Sequence, residues 1–130
     1  MNFRIRVLRA GEIEEALDFI MRIFPEAEDT ISDDDMFFIA EFAGKVIGFA
    51  HVSEEEDGVI LQGIGVEESV RGHGIGSALI EKIFEVFGRT DKTIFLKTQM
   101  SNPALELYHN YGFRVKHFGN VHILERKRET

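Results

Sequence analysis

A glycine-rich segment, RGHGIGS at residues 71–77, follows an apolar run and leads into a helical pattern that begins near Ile75. Glycine lets the backbone take positive φ angles and approach a ligand closely. The first N–H groups of a helix have no partner within it, and the helix dipole adds partial positive charge there. A strand that passes through such a loop into a helix therefore predicts a binding site for a phosphate or diphosphate near Gly74.

Three phosphate-loop patterns can be compared with this segment. A P-loop requires a Lys directly after its last glycine, but Ser77 follows Gly76. A dinucleotide-binding fingerprint requires a third glycine where Ser77 stands. It also needs an acidic residue on the second strand, and the acidic candidate near residue 91 precedes the next strand instead. The pattern Arg/Gln-x-x-Gly-x-Gly/Ala is matched in register by Arg71, Gly74 and Gly76.

A second segment, SNPALELYHNYGF at residues 101–113, accompanies this loop. Residues 64–79 resemble the acetyl-CoA-binding motif of the GNAT superfamily of N-acetyltransferases. Residues 101–113 resemble its second motif, Asn-x-x-Ala-x-x-Leu-Tyr followed by Gly-Phe. The family often has Pro where Glu68 stands, and counting back from Tyr108 places Ser101 rather than Asn102 in the Asn position. The resemblance is sharp from about Ile60 to Phe118.

The composition limits the chemistry that the chain can perform. The 130 residues include no cysteine, which excludes disulfides, thiolate metal sites and an acyl-cysteine intermediate. The formal net charge of −8 argues against a nucleic-acid partner, which needs a basic surface. Apolar runs stay below the roughly 20 residues that cross a bilayer, and no secretory leader is recognised. We therefore expect a cytoplasmic protein with no membrane partner.

Hydrophobic periodicity predicts a single α/β (α+β) domain over residues 1–130. Strands are expected over 3–8, 37–42, 46–52, 59–66, 93–98, 113–118 and 121–124, and helices over 12–24, 75–87 and after a cap at Ser101 or Asn102. Tight hairpin turns are expected at Ala43-Gly44 and Gly119-Asn120. The predicted buried stripe of the second helix is Ile75, Leu79, Ile83, Val86 and Phe87. The resemblance adds a mixed, mostly antiparallel sheet that splays between its fourth and fifth strands, where CoA enters, with about four flanking helices.

The resemblance implies that acetyl-CoA or coenzyme A is the co-substrate and that no metal is needed. The main chain of Ile64 and Val66 would hold the pantetheine arm, much as an added strand would. The implied cofactor-binding residues are Ile64, Gly65, Val66, Arg71, Gly72, His73, Gly74, Ile75, Gly76, Ser77, Ser101, Asn102 and Tyr108.

The implied reaction moves an acetyl group from a thioester to a primary amine by direct attack in a ternary complex. By resemblance, the Val66 N–H is the oxyanion donor, a common role for a backbone amide in acyl transfer. Tyr108 is the corresponding general acid, because a phenol with a pKa of about 10 suits a thiolate with a pKa of about 8.5. From the residues alone, a tyrosine on an apolar helix face is also typical of a core position.

The sequence offers no obvious general base. None of the polar side chains of the fourth and fifth strands is a base at neutral pH; these are Gln62, Lys97 and Gln99. His51, Glu67 and Glu68 lie within reach, but each is expected to be a surface residue. We therefore expect a proton relayed by water, or an amine that arrives neutral.

The acceptor is predicted from an acidic loop after the first helix, which contains Glu26, Glu28, Asp29, Asp33, Asp34 and Asp35. These charges favour a small cationic amine, such as a polyamine or an aminoglycoside-like amine. A solvated loop without a role explains them as well. A protein N-terminus or a lysine is the alternative acceptor, and a non-catalytic acetyl-CoA-binding module is the alternative function. The oligomeric state stays open between monomer and homodimer.

Overall fold

The computed structural model describes residues 1–23, 31–32, 34–56, 58–87, 93–99, 105–117 and 121–126. Its strands are β1 (Arg4–Arg9), β2 (Met36–Phe42), β3 (Lys45–Glu54), β4 (Gly58–Val66), β5 (Thr93–Gln99), β6 (Arg114–His117) and β7 (Val121–Arg126). Its helices are α1 (Glu14–Ile23), α2 (Ile75–Phe87) and α3 (Leu105–Asn110), with 3-10 turns at Ala10–Glu12 and Glu68–Val70. None of these helices is long and apolar enough to span a bilayer.

The strands form one sheet in the order β1-β2-β3-β4-β5-β7-β6. Every neighbouring pair is antiparallel except β4 and β5, which run parallel because α2 connects them. The predicted fold class, a mixed and mostly antiparallel sheet, is confirmed. The described residues contain three α-helices and two 3-10 turns, where about four helices were expected.

The sheet is covered by apolar residues on both faces. Successive residues of a strand point to opposite faces, so β2 places Phe38 and Ala40 in the cluster that contains α2. Its neighbours Phe37 and Ile39 belong to the cluster that contains α1. This two-sided burial explains why β2 reads as a continuous apolar run rather than an alternating one.

Helix α2 buries a slightly different stripe from the predicted one. Ile75, Leu79, Ile83 and Phe87 are buried as expected, but Val86 is 37% exposed and Ile80 is buried. The stripe is centred on Leu79, Ile83 and Phe87, and Val86 lies at its margin in the last turn. Ile75 stays buried because it packs over Gly48, where an added Cβ would lie 3.0 Å from the Ile75 Cγ2.

The β2–β3 hairpin turn at Ala43-Gly44 is confirmed, since both residues have positive φ angles of 52° and 78°. Such angles at both central residues define the type I′ turn, whose twist matches that of the flanking strands. The predictions made for residues 24–30, Asp33, Gly88, Ser101, Asn102 and the turn Gly119-Asn120 lie outside the described residues.

Candidate active site

Strands β4 and β5 separate after a short stretch of pairing. They pair from Gly58 and Thr93 to Leu61 and Leu96. Beyond this point β4 stays paired with β3, and β5 stays paired with β7. The sheet is therefore split between its fourth and fifth strands, as the sequence resemblance implied.

A β-bulge marks the point where the two strands part. Leu61 pairs with Val52 and Gly63 pairs with His51, so Gln62 is an extra residue of β4 without a partner in β3. A bulge bends its strand and increases the local twist. It therefore turns the second half of β4 away from β5.

The main chain of β4 presents hydrogen-bonding groups to this gap. The Glu67 N–H donates to the Ile47 carbonyl at 2.8 Å, which fixes the alternation of hydrogen bonds along β3 and β4. In that register Gly65 is bonded to β3, whereas Ile64 and Val66 occupy the non-hydrogen-bonded positions. The N–H and C=O groups of Ile64 and Val66 consequently point into the gap.

The glycine loop lies at the end of β4 and leads into α2. Gly72 and Gly74 have φ angles of 88° and 80°, which only glycine adopts readily. Within the described part of the chain, the N–H groups of residues 72–77 donate no backbone hydrogen bond. The Arg71 N–H is not among these free donors, since it donates to the Glu68 carbonyl at 3.3 Å. The loop thus offers a row of unpaired donors and the positive end of a helix dipole, a suitable cradle for a diphosphate.

The polar side chains of the loop have separate surroundings. Arg71 donates from Nε to the Val66 carbonyl at 3.2 Å, at the edge of the gap. His73 is exposed. Ser77 hydrogen-bonds to Tyr111, whose hydroxyl donates to the Glu81 carboxylate at 2.9 Å. The Ser77 hydroxyl is therefore engaged between α2 and the residue after α3, and its N–H remains the group directed at the loop.

Gly65 is required by packing rather than by its φ angle. A Cβ at this position would lie 2.7 Å from the Cγ2 of Ile23 and 3.1 Å from the Phe49 ring. The absence of a side chain thus lets the end of α1 sit directly on the β4 backbone, beside the residues that face the gap.

Tyr108 on α3 is 2% exposed and belongs to the same apolar cluster as α2. Its ring meets the Phe113 ring edge to face, with 6.1 Å between centroids. Burial raises the pKa of Tyr108 to about 12, because the low-dielectric surroundings disfavour the phenolate. Tyr108 is therefore held as a neutral phenol.

The expectation that His51 is a surface residue is wrong. Its side chain is 3% exposed, and its Nε2 lies 2.7 Å from the Oδ2 of Asp35, which is also buried. Asp35 lies in the segment between α1 and β2, as expected, but it is buried and is not a solvated charge of that loop. The available signal was the position of His51 inside the buried run over 47–52, where a polar side chain needs a buried partner.

The other base candidates whose side chains are described lie at or near the surface. Glu67 is half-buried and pairs with Arg22 at 2.5 Å, which links the end of α1 to the end of β4. Glu68 is exposed in a 3-10 turn. Gln62, the extra residue of the bulge, donates to the Ser53 hydroxyl at 2.8 Å. The side chains of Lys97 and Gln99 lie outside the described parts of β5.

A split sheet with a gap-facing strand and a loop of unpaired amides is the arrangement that the resemblance to the GNAT N-acetyltransferases implied. Residues 33–115 match the family described as the Acetyltransferase (GNAT) domain. The chain belongs to this family, whose members are acyltransferases that use acetyl-CoA.

Two relatives of known sequence share about a third of the aligned positions. One is an N-acetylaspartate synthetase of Xenopus tropicalis, 34% identical over 89 residues, which are 65% of this chain and 32% of that protein. The other is an uncharacterized N-acetyltransferase of Methanocaldococcus jannaschii, 33% identical over 93 residues, which are 65% of this chain and 41% of that protein. The chain thus spans less than half the length of these relatives.

Solved structures share the fold along nearly the whole chain. The Escherichia coli ribosomal-protein-S18-alanine N-acetyltransferase has a TM-score of 0.81 and 20% identity, over 99% of this chain and 96% of that one. A GNAT acetyltransferase of Elizabethkingia anophelis with acetyl-CoA bound has a TM-score of 0.80 and 19% identity, over 97% and 98%.

Proposed function

We propose that this chain transfers the acetyl group of acetyl-CoA to a primary amine by direct attack in a ternary complex. The observation that supports this most is the pair of gap-facing residues, Ile64 and Val66, next to the unpaired amides of residues 72–77. A pantetheine arm along the gap would find main-chain partners, and a diphosphate would find the loop. The absence of cysteine removes an acyl-cysteine route, which supports direct transfer.

The proposed transfer requires a donor for the oxyanion and an acid for the departing thiolate, and the described residues offer a candidate for each. The Val66 N–H points into the gap and would donate to the oxyanion. Tyr108 would give its proton to the departing thiolate. Its raised pKa is compatible with this role, because the same desolvation would raise the pKa of the thiol.

We propose a small cationic amine as the acceptor. The chain carries a net charge of −8. Four of its carboxylates, those of Asp34, Glu54, Glu55 and Glu56, line a surface depression with Arg9. This depression lies at the end of the sheet where β4 is still paired with β5, so it supports the acceptor through the overall field and not through contact with the gap. Such a field attracts cationic ligands. Asp35 does not add to it as a free charge, since it is buried against His51.

Two other acceptors are favoured by specific similarities. The relative named N-acetylaspartate synthetase has a product that derives from an acidic amino acid. The Escherichia coli neighbour acts on the alanine of a ribosomal protein, which favours a protein N-terminus. Both remain candidates for this chain.

The deciding experiment is an acceptor screen that measures free thiol release from acetyl-CoA. Its panel contains polyamines, aminoglycosides, aspartate, and peptides with a free N-terminus or an internal lysine. Turnover confined to the cationic amines would support the proposal, whereas turnover confined to aspartate or to peptides would replace the acceptor. Acetyl-CoA binding with no turnover in any arm would favour a regulatory binding module. If acetyl-CoA does not raise the melting temperature, both acetyl transfer and a regulatory acetyl-CoA-binding role are excluded.

A further inference from the structure

A buried polar pair, His51 and Asp35, lies on the face of the sheet that carries α1. Both side chains are at most 4% exposed, and the His51 Nε2 is 2.7 Å from the Asp35 Oδ2. The buried α1 residues of this cluster, Ala16, Phe19 and Ile20, are apolar. A buried ionisable pair stabilises a fold weakly, because desolvation offsets its attraction. The packing alone therefore does not explain the pair.

The hydrogen bonds determine which nitrogen of His51 is basic. The Asp35 carboxylate accepts from the Ser32 N–H and the Ser32 hydroxyl, both at 3.0 Å. A carboxylate held by donors is an acceptor, so the Nε2 of His51 carries a proton and donates it. The basic nitrogen is then Nδ1. Phe37 stacks on the ring at 4.5 Å, with 7° between planes, and fixes its orientation.

The pair lies beside the split in the sheet. His51 is paired with Gly63, directly after the bulge at Gln62 where β4 turns away from β5. Ser53 lies two residues further along β3 on the same face, and its hydroxyl accepts from the exposed Gln62 side chain. Ser53 and Gln62 thus add polar groups on this face near the bulge, where the gap begins. They lie on the face opposite to α2 and the glycine loop.

We infer that His51 takes the proton of the acceptor ammonium through one water molecule and that Asp35 positions the ring and stabilises the imidazolium. This inference rests on the proposed acetyl transfer. The imidazole is too buried to touch the amine, which is why a water is needed. The ammonium N–H bond breaks and the proton adds to Nδ1. The neutral amine then attacks the thioester carbonyl, the C–S bond breaks, and Tyr108 protonates the thiolate. The nitrogen loses its second proton to solvent as the amide forms, Tyr108 regains a proton from solvent, and His51 releases the proton that it accepted.

The charged surroundings of His51 are simple among the described residues. Asp35 comes from the segment before β2, the Phe37 ring comes from β2, and Gly63 lies opposite His51 on β4. The α1 residues buried on this face of the sheet are apolar. The Asp35 carboxylate is thus the one charged group in contact with the ring within this part of the chain. It is the group whose removal should release the ring from its position.

The test compares His51→Gln and Asp35→Asn with the wild-type protein in pH–rate profiles, using the best acceptor of the screen. For His51→Gln we expect kcat/KM to fall about 100-fold at neutral pH, a typical contribution of a general base. The loss should shrink as the pH approaches the pKa of the amine itself, where no base is required. For Asp35→Asn we expect kcat to fall while the KM for acetyl-CoA stays unchanged, because the ring loses the partner that holds it in position. The acetyl-CoA-induced rise in melting temperature should persist in both variants.

A folded His51→Gln variant with the wild-type rate and pH profile would overturn the inference while leaving acetyl transfer intact. If the wild-type protein itself acetylates no amine, the proposed function fails and the role of His51 fails with it. If neither variant folds, the ring titration of His51 is followed by NMR in the wild-type protein. Its midpoint must coincide with the acid limb of the rate profile, and a clear mismatch would also overturn the inference.

Discussion

Two polar side chains, Tyr108 and His51, are enclosed among apolar residues on opposite faces of the same sheet. Burial acts on them differently because their partners differ. Tyr108 packs against aromatic and aliphatic groups, so its neutral form is favoured. His51 has a carboxylate partner that can compensate a positive charge. Tyr108 is thus suited to hold a proton, and His51 is suited to receive one.

The kinetic consequence for Tyr108 can be measured with Tyr108→Phe. We expect kcat to fall about 100-fold, since a positioned general acid typically contributes at least that factor. The affinity for acetyl-CoA should be unchanged, because only the hydroxyl is removed from a packed ring. Tyr111→Phe is the matched control and should keep the wild-type kcat. A Tyr108→Phe enzyme as fast as wild type would show that the phenol is only a core residue.

The raised pKa of Tyr108 also predicts a pH dependence of stability. The folded-state pKa of about 12 exceeds the usual value of 10.0, so the folded protein holds this proton more tightly than the unfolded chain. The stabilisation is complete below pH 10 and is lost as the pH rises towards 12. By pH 11 the free energy of unfolding should have dropped by about 1.4 kcal/mol from this group. Urea titrations at pH 8 and pH 11 should show this loss of unfolding free energy in the wild-type protein but not in Tyr108→Phe.

Strand β4 and the loop that follows it combine structural and binding roles in adjacent residues. Gly65 admits Ile23 of α1, whereas Ile64 and Val66 present their main chain to the gap. Arg71 then reaches back to the Val66 carbonyl. Changes on this element should therefore separate packing from binding.

Gly74→Ala tests the loop, with Gly44→Ala as its control. Both glycines have positive φ angles, 80° and 78°, and an added Cβ meets no atom within 4 Å at either site. Each variant should lose about 1–2 kcal/mol of unfolding free energy, because alanine is strained at a positive φ angle. Only Gly74→Ala should also weaken acetyl-CoA binding, by about tenfold, measured by calorimetry. Equal affinities in the two variants would remove the loop from the binding site.

Gly65→Ala tests the contact between α1 and β4. The new Cβ would lie 2.7 Å from Ile23, so α1 must shift, and overpacking of this kind costs about 1–3 kcal/mol. Gly11→Ala is the control, because nothing lies within 4 Å of its added Cβ. Urea unfolding should show the loss for Gly65→Ala and little change for Gly11→Ala. A stable Gly65→Ala protein would contradict the close approach.

At the scale of the whole molecule, the sheet consists of two parts, β1–β4 and β5–β7, joined by the short parallel pairing of β4 with β5. A ligand in the gap would bridge these parts. It would add main-chain contacts where the sheet has none, and binding should therefore stabilise the split region more than the remaining strands.

Hydrogen exchange should resolve this effect residue by residue. Without ligand, the N–H groups of Ile64 and Val66 should exchange quickly because they face the gap, while the N–H of Gly65 is protected by β3. Acetyl-CoA should slow exchange at Ile64 and Val66 and leave Gly65 unchanged. Uniform protection along residues 63–66 in the free protein would contradict the assigned alternation.

The sequence by itself determined the glycine loop, the Ala43-Gly44 turn and the buried stripe of α2 apart from Ile80 and Val86, because these depend on local sterics and on short-range periodicity. The sequence also contains the two motifs, at residues 64–79 and 101–113, that resemble those of the GNAT family. Only the tertiary structure decided where β4 leaves β5, since the bulge at Gln62 arises from pairing with β3. The same holds for the contact of His51 with Asp35 and for the raised pKa of Tyr108, which depend on burial by segments far apart in the chain. Burial and register are properties of the assembled sheet, and no local pattern specifies them.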